Sequence, residues 1–296
     1  MELLKVTDSI YVVPAKGNGR FPFAQSIYVD AERKILFDAG IGSDLMVSFL
    51  KEYPVDIAVM SHGHPDHVAG AWHVAREAPV FVSKESQESF GNLDAMAARF
   101  IDGEQETMLW RGLVEHIMGF KEVAPDQVYD RQSAFDLGSV KLVAMHTPGH
   151  TKDHYCFFEV NTSCMFLFDL DLSPYGPWYG HPESDVDQFE ASVNYARSYE
   201  PEIAISSHMG VLRKGVDKAM KAYAAHFARR DERIYDLLDH PRTALEIAEK
   251  FPFTPKYFPK LRPIYLQWET QMVKKHLDRL VEGRQATPRG DTFQRA

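Results

Sequence analysis

Three histidines and one aspartate lie within six consecutive positions, His62 to His67, of the segment SHGHPDH. Imidazole and carboxylate groups are the usual protein ligands of zinc, iron and manganese. The spacing allows a tight loop to turn His62 and His64 toward one point, and Asp66 and His67 toward a neighbouring point. This segment therefore predicts a metal centre, and an ordinary solvated polar loop is the weaker interpretation.

Three further metal-binding side chains follow, each at the end of an apolar run. His150 ends HTPGH after VKLVAM, Asp171 ends FLFDLD, and His208 ends EIAISSH. In α/β proteins the carboxyl ends of strands converge on one edge, where loops supply the reacting groups. We therefore expect these side chains to form one site with the 61–67 segment.

Apolar, β-branched runs and helical patterns follow one another up to about Val211. Some runs form hairpins and others are separated by helices, which predicts mixed sheets covered by helices, an α/β architecture. Beyond Val211 the pattern is helical, with a capping box at Thr243 and Glu246. We expect a catalytic domain over residues 1–228 and a small C-terminal helical extension over residues 229–296 that ends in a loose tail.

The HxHxDH block, the TPGH histidine, the later aspartate and the SH histidine resemble the metallo-β-lactamase-fold hydrolase superfamily in residue type, order and spacing over about residues 5–210. The resemblance implies an αββα sandwich of two mixed β-sheets flanked by helices, with a dinuclear metal site on its rim. The implied ligands are His62, His64 and His150 for one metal, Asp66, His67 and His208 for the other, and Asp171 as the bridge.

The bridging position has two candidates, because the segment reads Asp169-Leu170-Asp171 where the family usually has Gly-Asp. Alignment of LFDLD on the family's Leu-Phe-x-Gly-Asp pattern favours Asp171. Because the glycine is missing, the family pattern does not predict the conformation of the local backbone. Asp38 in ILFDAG matches the family's Asp-Gly after an early strand, and we expect it to have a buried structural role.

This ligand set suits the activation of water. Two divalent cations about 3.5–4 Å apart can hold a hydroxide between them and lower the pKa of water from about 15.7 toward neutrality, while one of them polarises a carbonyl or phosphoryl oxygen. Asp66 and Asp171 are the expected catalytic carboxylates, which orient the hydroxide and relay a proton. We expect a metal-dependent hydrolase with two divalent ions, zinc in first place and iron or manganese as alternatives.

The segment LSPYGPWYGHPE (172–183), hereafter the aromatic loop, is the candidate substrate pocket. Its prolines stiffen it, its glycines let it turn, and it carries Tyr175, Trp178, Tyr179 and His181. These side chains could form a wall for an acyl group over the metals, or they could merely pin the loop to the body of the protein. The first interpretation favours a small ester, such as a thioester or a lactone.

Two other segments bear on substrate and assembly. The stretch from Lys84 to Lys121 carries Phe100, Met108, Trp110 and Met118. It could be a helical lid over an apolar substrate, but a packing stripe or a subunit contact, as in a homodimer, is favoured. The C-terminal extension resembles the helical or winged-helix-like extensions of some superfamily members, among them a group of endoribonucleases.

Charge and composition limit the classes of molecule that we expect the protein to bind. The chain has 33 basic and 42 acidic side chains, a formal net charge of -9, which provides no general attraction to nucleic acid or anionic lipid. We therefore expect a small-molecule substrate. Apolar runs are far shorter than the roughly 20 residues of a membrane span, and the first residues lack a secretory pattern, so a cytoplasmic protein is expected.

Two alternative functions keep the same fold. A phosphodiesterase or ribonuclease is suggested by the C-terminal extension, whereas the net charge opposes it. A mononuclear-iron sulfur dioxygenase would use only part of the ligand set, and the presence of Asp66, His67 and His208 does not decide against it. A protein that only binds its ligand is disfavoured, since a complete ligand set is hard to explain without catalysis.

Overall fold

Two β-sheets lie face to face at the centre of the computed structural model, which describes residues 1–254 and 259–296. The first sheet has its strands in sequential order: β1 Leu4–Lys5, β2 Ile10–Val13, β3 Ser26–Asp30, β4 Lys34–Phe37, β5 Ile57–Val59, β6 Val80–Ser83 and β7 Gln127–Tyr129. The second sheet has the order β13-β12-β11-β10-β9-β8, and its strands are β8 Ala134–Asp136, β9 Lys141–His146, β10 Tyr155–Glu159, β11 Cys164–Phe168, β12 Ile203–Ser206 and β13 Gly210–Leu212.

Helices cover the outer faces of both sheets, so the predicted αββα sandwich is confirmed. Both sheets are mixed, because β4 to β7 run parallel and so do β11 and β12, while the other neighbours are antiparallel. The helices are α1 Ser43–Glu52, α2 Pro65–Val68, α3 Ala71–Val74, α4 Leu93–Phe100, α5 Glu104–Gly112, α6 Val186–Arg197, α7 Val216–Asp236, α8 Ala244–Ala248 and α9 Arg262–Glu282.

Successive residues of a strand face different cores, as the two-residue period of a strand requires. In β3, Ile27 and Val29 lie in the core between the sheets, whereas Tyr28 lies in the core beneath the helices. In β11, Phe166 faces the other sheet and Met165 faces the helices. Strands buried on both faces explain the nearly continuous apolar runs in the sequence.

The C-terminal residues form helices, as predicted, together with a small sheet that was not predicted. Its strands, in the order β14-β16-β15, are β14 Arg242–Thr243, β15 Ala286–Arg289 and β16 Thr292–Arg295. The expectation of a loose tail is therefore wrong, because β15 and β16 pair as a hairpin. The order of helices and strands is compatible with a winged-helix-like extension, which stays a prediction.

The boundary predicted between residues 228 and 229 falls inside α7, so the extension is continuous with the body of the protein. Helix α9 packs against both outer cores, through Ile264 and Trp268 on one side and Met272 and Leu277 on the other. Within the described residues, none of the helices combines the length and the apolar character needed to cross a bilayer.

Candidate metal centre

The 61–67 segment leaves β5 as a tight loop and enters the short helix α2 at Pro65. Proline suits the first turn of a helix, where its missing N–H has no intrahelical partner to lose. The side chains of His62, His64, Asp66 and His67 are all buried, the most exposed being Asp66 at 6%. The protein thus withdraws four metal-binding groups from solvent and holds two of them on a helix.

Asp169 is turned into the site by the backbone at the end of β11. The pairing of β11 with β12 is irregular between Phe166 and Phe168, and Phe168 has a left-handed φ of 50°. A bulge of this kind re-aims the side chain that follows it. A left-handed residue other than glycine is strained by roughly 1–3 kcal/mol, and such strain is concentrated at functional sites.

One carboxylate oxygen of Asp169 faces three histidines. Its Oδ2 lies 3.1 Å from His150 Nε2, 3.7 Å from His62 Nε2 and 3.8 Å from His64 Nδ1. His64 Nδ1 and His150 Nε2 are 2.9 Å apart. One ligand atom from each of these four residues lies within 4.8 Å of the others, which is compact enough for all four to share one ion.

The other oxygen of Asp169 faces a second group. Its Oδ1 lies 2.9 Å from His67 Nε2 and 3.3 Å from His208 Nε2. Asp66 Oδ2 lies 3.6 Å from His208 Nε2, and the ligand atoms of Asp66, His67 and His208 are also within 4.8 Å of one another. The structure therefore brings together both groups of ligands that the resemblance implied, with Asp169 between them.

The assignment of Asp171 to the bridging position is wrong. Asp171 is absent from both groups, accepts a hydrogen bond of 3.0 Å from the backbone N–H of Ser173, and has its pKa raised by burial. The physical reason is the left-handed backbone of Phe168, the kind of conformation that glycine adopts most easily. Phe168 and Asp169 occupy the Gly-Asp position of the family pattern, two residues before the Leu170-Asp171 pair on which the alignment placed it.

The residues present fit divalent cations. Of the buried atoms that lack a hydrogen-bond partner among the described residues, four belong to this cluster: His62 Nε2, His64 Nε2, His67 Nε2 and Asp169 Oδ1. Buried polar groups are otherwise almost always paired, because an unpaired one loses its hydration without compensation. The atoms from His62, His67 and Asp169 face the centre of the cluster, and nitrogen and oxygen ligands of this kind suit zinc, iron or manganese.

The charges of the cluster are centred on Asp169. Burial lowers the pKa of His62 well below its ordinary value, which favours the neutral form that binds metals. Burial opposes ionisation of Asp169, but His67 and His208 hold the pKa of its carboxyl well below the usual range. Burial also disfavours the charged form of His208, whose pKa Asp169 nevertheless raises to about 9. Asp169 is thus an anion between two groups of ligands.

A buried carboxylate, Asp38, orients the ligands of the first sheet. Its Oδ2 lies 2.7 Å from His67 Nδ1, and its two oxygens accept hydrogen bonds from the N–H and the hydroxyl of Ser61 at 2.7 and 2.8 Å. The Ser61 hydroxyl in turn lies 2.9 Å from His62 Nδ1. Asp38 is fully buried, as the sequence predicted.

Replacing Asp38 by Asn is expected to weaken metal binding by about 10- to 100-fold, because a neutral amide holds the His67 ring less firmly and makes it a poorer ligand. Competition with a chromophoric chelator measures this affinity, and thermal unfolding of the metal-free variant serves as the control. Unchanged affinity in a folded variant would show that Asp38 supports the fold alone.

Backbone carbonyls orient two further histidines, His150 and His208. His150 Nδ1 donates to the carbonyl of Trp178 at 2.7 Å, and His208 Nδ1 donates to that of Gly19 at 2.6 Å. Just before His150, Gly149 has a φ of 124°, and a Cβ there would lie 2.2 Å from a backbone nitrogen of α6. Only glycine fits this close approach, which explains the glycine of TPGH.

A buried ion network that the sequence analysis missed supports the loop between His62 and His64. Asp153 accepts hydrogen bonds from the Gly63 N–H at 3.0 Å and from the Ser86 hydroxyl at 2.6 Å. Arg99 pairs with Asp153 and also with Glu183 of the aromatic loop, at 2.8 and 2.6 Å. Asp153, which lies close to TPGH in the sequence, was the only local indication of this network, because its partners are distant in the sequence.

His154 positions Asp169 through a hydrogen bond with the backbone of that residue. Its Nε2 accepts a hydrogen bond of 3.3 Å from the backbone N–H of Asp169, and its Nδ1 lies 2.9 Å from the Thr147 hydroxyl. Burial and the neighbouring His150 lower the pKa of His154 to about 3. His154 is thus a neutral hydrogen-bonding residue.

The side chains of the aromatic loop divide into two sets. The rings of Trp178 and His181 lie beside the site, with centroids 5.8 and 4.6 Å from that of His64. Tyr179 is fully buried in the core between the second sheet and the C-terminal helices, whereas Tyr175 is 61% exposed. The expectation that Tyr179 lines the substrate pocket is therefore wrong, because its ring pins the loop instead.

Two other aromatic side chains approach the site. Phe100, from the inserted segment, is fully buried with its ring 4.9 Å from that of His64. Trp110 and Met118 are buried in the same core, as the packing interpretation predicted, whereas Met108 is 67% exposed. Trp268 of α9 has its ring 5.3 Å from that of Trp178. Its position was not predicted, because no local pattern connects α9 with the aromatic loop.

A family model described as the metallo-β-lactamase superfamily matches residues 20–208. The chain belongs to this superfamily. Its members are metal-dependent hydrolases, and so is this protein. The match spans every ligand described above, from His62 to His208, and the C-terminal helices lie beyond it.

Relatives within the superfamily are distant. An uncharacterised protein of Aquifex aeolicus is 23% identical over 211 residues, which cover 69% of this chain and 93% of that protein. The atrochrysone carboxyl ACP thioesterase of Passalora fulva is 23% identical over 249 residues, 79% of this chain and 63% of that enzyme. A metallo-β-lactamase family protein from Thermus thermophilus has a similar solved structure, with a TM-score of 0.75 at 18% identity, covering 99% of this chain and 100% of that one.

Proposed function

We propose that this protein is a dinuclear metal hydrolase that cleaves a small carbon ester, such as a thioester or a lactone. The observation that carries the proposal is the position of Asp169, whose two oxygens face two separate groups of metal-binding side chains. A carboxylate shared in this way suits two cations and would be unnecessary for one. This feature favours the hydrolase over a mononuclear-iron dioxygenase.

Each residue of the centre has a role in this proposal. When bound, two divalent cations, zinc in first place, would polarise a carbonyl oxygen and lower the pKa of water. The carboxylate of Asp66 accepts the proton of the attacking water and returns it to the leaving group. Asp169 takes the orienting role that was expected of Asp171. The cations would be held by His62, His64 and His150, and by Asp66, His67 and His208, with Asp169 shared.

Three features support an acyl substrate. The half-buried ring of Trp178 lies beside that of His64 and packs against that of Trp268, so it offers a surface on which an apolar acyl group could pack. The net charge of -9 disfavours a polyanionic substrate such as RNA. The Passalora fulva relative is named a thioesterase, so thioesters are the first class to test.

Protein purified without chelator or a metal-affinity column is expected to contain about two divalent ions per chain. Turnover of a panel of aryl thioesters, aliphatic thioesters and lactones should stop after dialysis against a chelator and return when metal is added back. Free metal in buffer is the control. One tightly bound iron without ester turnover would favour the dioxygenase, and salt-sensitive RNA cleavage would favour the phosphodiesterase.

A further inference from the structure

The aromatic loop contacts the metal centre through its backbone. The carbonyl of Trp178 accepts the hydrogen bond from His150 Nδ1, at 2.7 Å, while Nε2 of the same ring faces Asp169 at 3.1 Å. The other nitrogen of a metal-binding histidine sets the orientation of its ring. The position of a single loop carbonyl therefore determines where His150 presents its ligand atom.

This loop has no helix or strand of its own, so other elements must hold it. Arg230 of α7 donates to the carbonyls of Tyr175, at 2.8 Å, and of Pro177, and to the hydroxyl of Tyr179, at 2.8 Å. Arg230 is only 7% exposed. A guanidinium offers five N–H donors in a rigid plane, which lets one side chain fix several acceptors on both sides of Trp178.

Helix α9 holds the loop from a second direction. His276 Nε2 lies 2.5 Å from the Tyr179 hydroxyl, and His276 Nδ1 lies 2.6 Å from Asp231 Oδ1 on α7. Lys275 Nζ donates to the carbonyl of His181 at 2.8 Å. The C-terminal helices thus occupy the loop's acceptors at residues 175, 177, 179 and 181, and Trp178 between them serves His150.

We propose that Arg230, Lys275 and His276 are positioning residues of the metal centre, and that the C-terminal helices complete the His62, His64 and His150 group by clamping the aromatic loop. This inference rests on the proposed two-metal centre. We call Arg230, Lys275 and His276 together the clamp. The second group of ligands depends less on it, because Asp38 orients His67 and the Gly19 carbonyl orients His208. The clamp therefore acts on one metal more than on the other.

The test is the affinity of each metal in Arg230→Met, measured by titration of the metal-free full-length protein with Co²⁺ against a chromophoric chelator. We expect one of the two affinities to fall by up to about 10- to 100-fold, the range for loss of an outer partner of a metal-binding histidine, because the loop that supplies the Trp178 carbonyl to His150 is no longer held. The variants His150→Ala and His208→Ala identify, by the Co²⁺ absorption each one loses, which group is affected.

Arg197→Met is the matched control. Arg197 also joins two helices, since it pairs with Asp217 of α7 from the end of α6, but among the described residues neither side chain pairs with the aromatic loop or with a residue that holds it. We expect both of its metal affinities to stay within about twofold of the unaltered protein, and Arg230→Lys, which keeps one donor group, to lose less than Arg230→Met.

Equal losses at both metals, equal losses in Arg197→Met, or unchanged affinities in Arg230→Met would each overturn the clamp. Should Arg230→Met fail to fold, His276→Leu removes the contacts of the imidazole with Tyr179 and Asp231, and unchanged affinity for the His150 metal in that variant would overturn the clamp equally. These measurements need no substrate. An unaltered protein that binds two metals but cleaves no ester would contradict the proposed substrate class. The measured metal affinities would still decide whether the clamp exists.

Discussion

Replacing Asp169 by Asn is expected to lower kcat/KM for an accepted ester by about a thousandfold or more, which corresponds to about 4 kcal/mol of transition-state stabilisation. The carboxylate lies between the two groups of ligands, with one oxygen toward each, and a neutral amide cannot serve two cations. Metal content should also fall from about two ions per chain to one or none. Steady-state kinetics and elemental analysis measure both effects.

Asp171→Asn is the matched control, two residues away and also beside the site. Asp171 accepts a backbone hydrogen bond from Ser173, which an amide oxygen can also accept. We expect its turnover to stay within about tenfold of the unaltered enzyme, with full metal content. The opposite result, in which Asp171→Asn is inactive and Asp169→Asn is active, would show that the alignment on Asp171 was correct after all.

Replacing Arg99 by Met is expected to lower the free energy of unfolding by about 3–5 kcal/mol at neutral pH, because it leaves a buried charge without its partner. Asp153 is fully buried, and the Arg99 side chain is 8% exposed. The loop between His62 and His64 depends on Asp153 through the Gly63 N–H, so metal binding should weaken as well. Denaturant unfolding of the metal-free protein measures the change in the free energy of unfolding without any contribution from metal binding.

The effect of Arg99→Met should depend on pH. In the unaltered protein burial opposes ionisation, but Arg99 holds the pKa of Asp153 well below its usual range, so this contribution to stability is complete above about pH 4. Without Arg99, burial raises the pKa of Asp153, and the variant loses stability as the pH rises. The difference between the two proteins should therefore be larger at pH 8 than at pH 5.

An exposed ion pair provides the control for this experiment. Arg197 pairs with Asp217 at 2.6 Å, and the two side chains are 34% and 60% exposed. Arg197→Met is expected to cost less than about 1 kcal/mol, because solvent screens the pair. A cost for Arg99→Met that is as small as this, or that does not change with pH, would contradict a structural role for the buried network.

Local sequence was sufficient wherever the chemistry depends on neighbours in the chain. The 61–67 segment combines rare residue types with a spacing that a loop and one helical turn can use, so its role as a metal site was predictable. His150 and His208 were predictable as well, because apolar runs mark the strands and strand ends converge on one edge of the sandwich. The same periodicity predicted mixed sheets covered by helices, and the family resemblance implied the sandwich of two sheets.

The tertiary structure decided what depends on backbone detail or on distant partners. Asp169 rather than Asp171 faces the ligands because Phe168 adopts a left-handed conformation, which no residue pattern reports when glycine is missing. Arg99 reaches Asp153 across 54 positions, and Arg230 and His276 reach the aromatic loop across 51 and 97 positions. Such contacts follow from the packing of whole elements, which local propensity and periodicity do not encode. Short sequence motifs therefore identify the ligands of the centre, and the tertiary fold sets the orientation of their side chains.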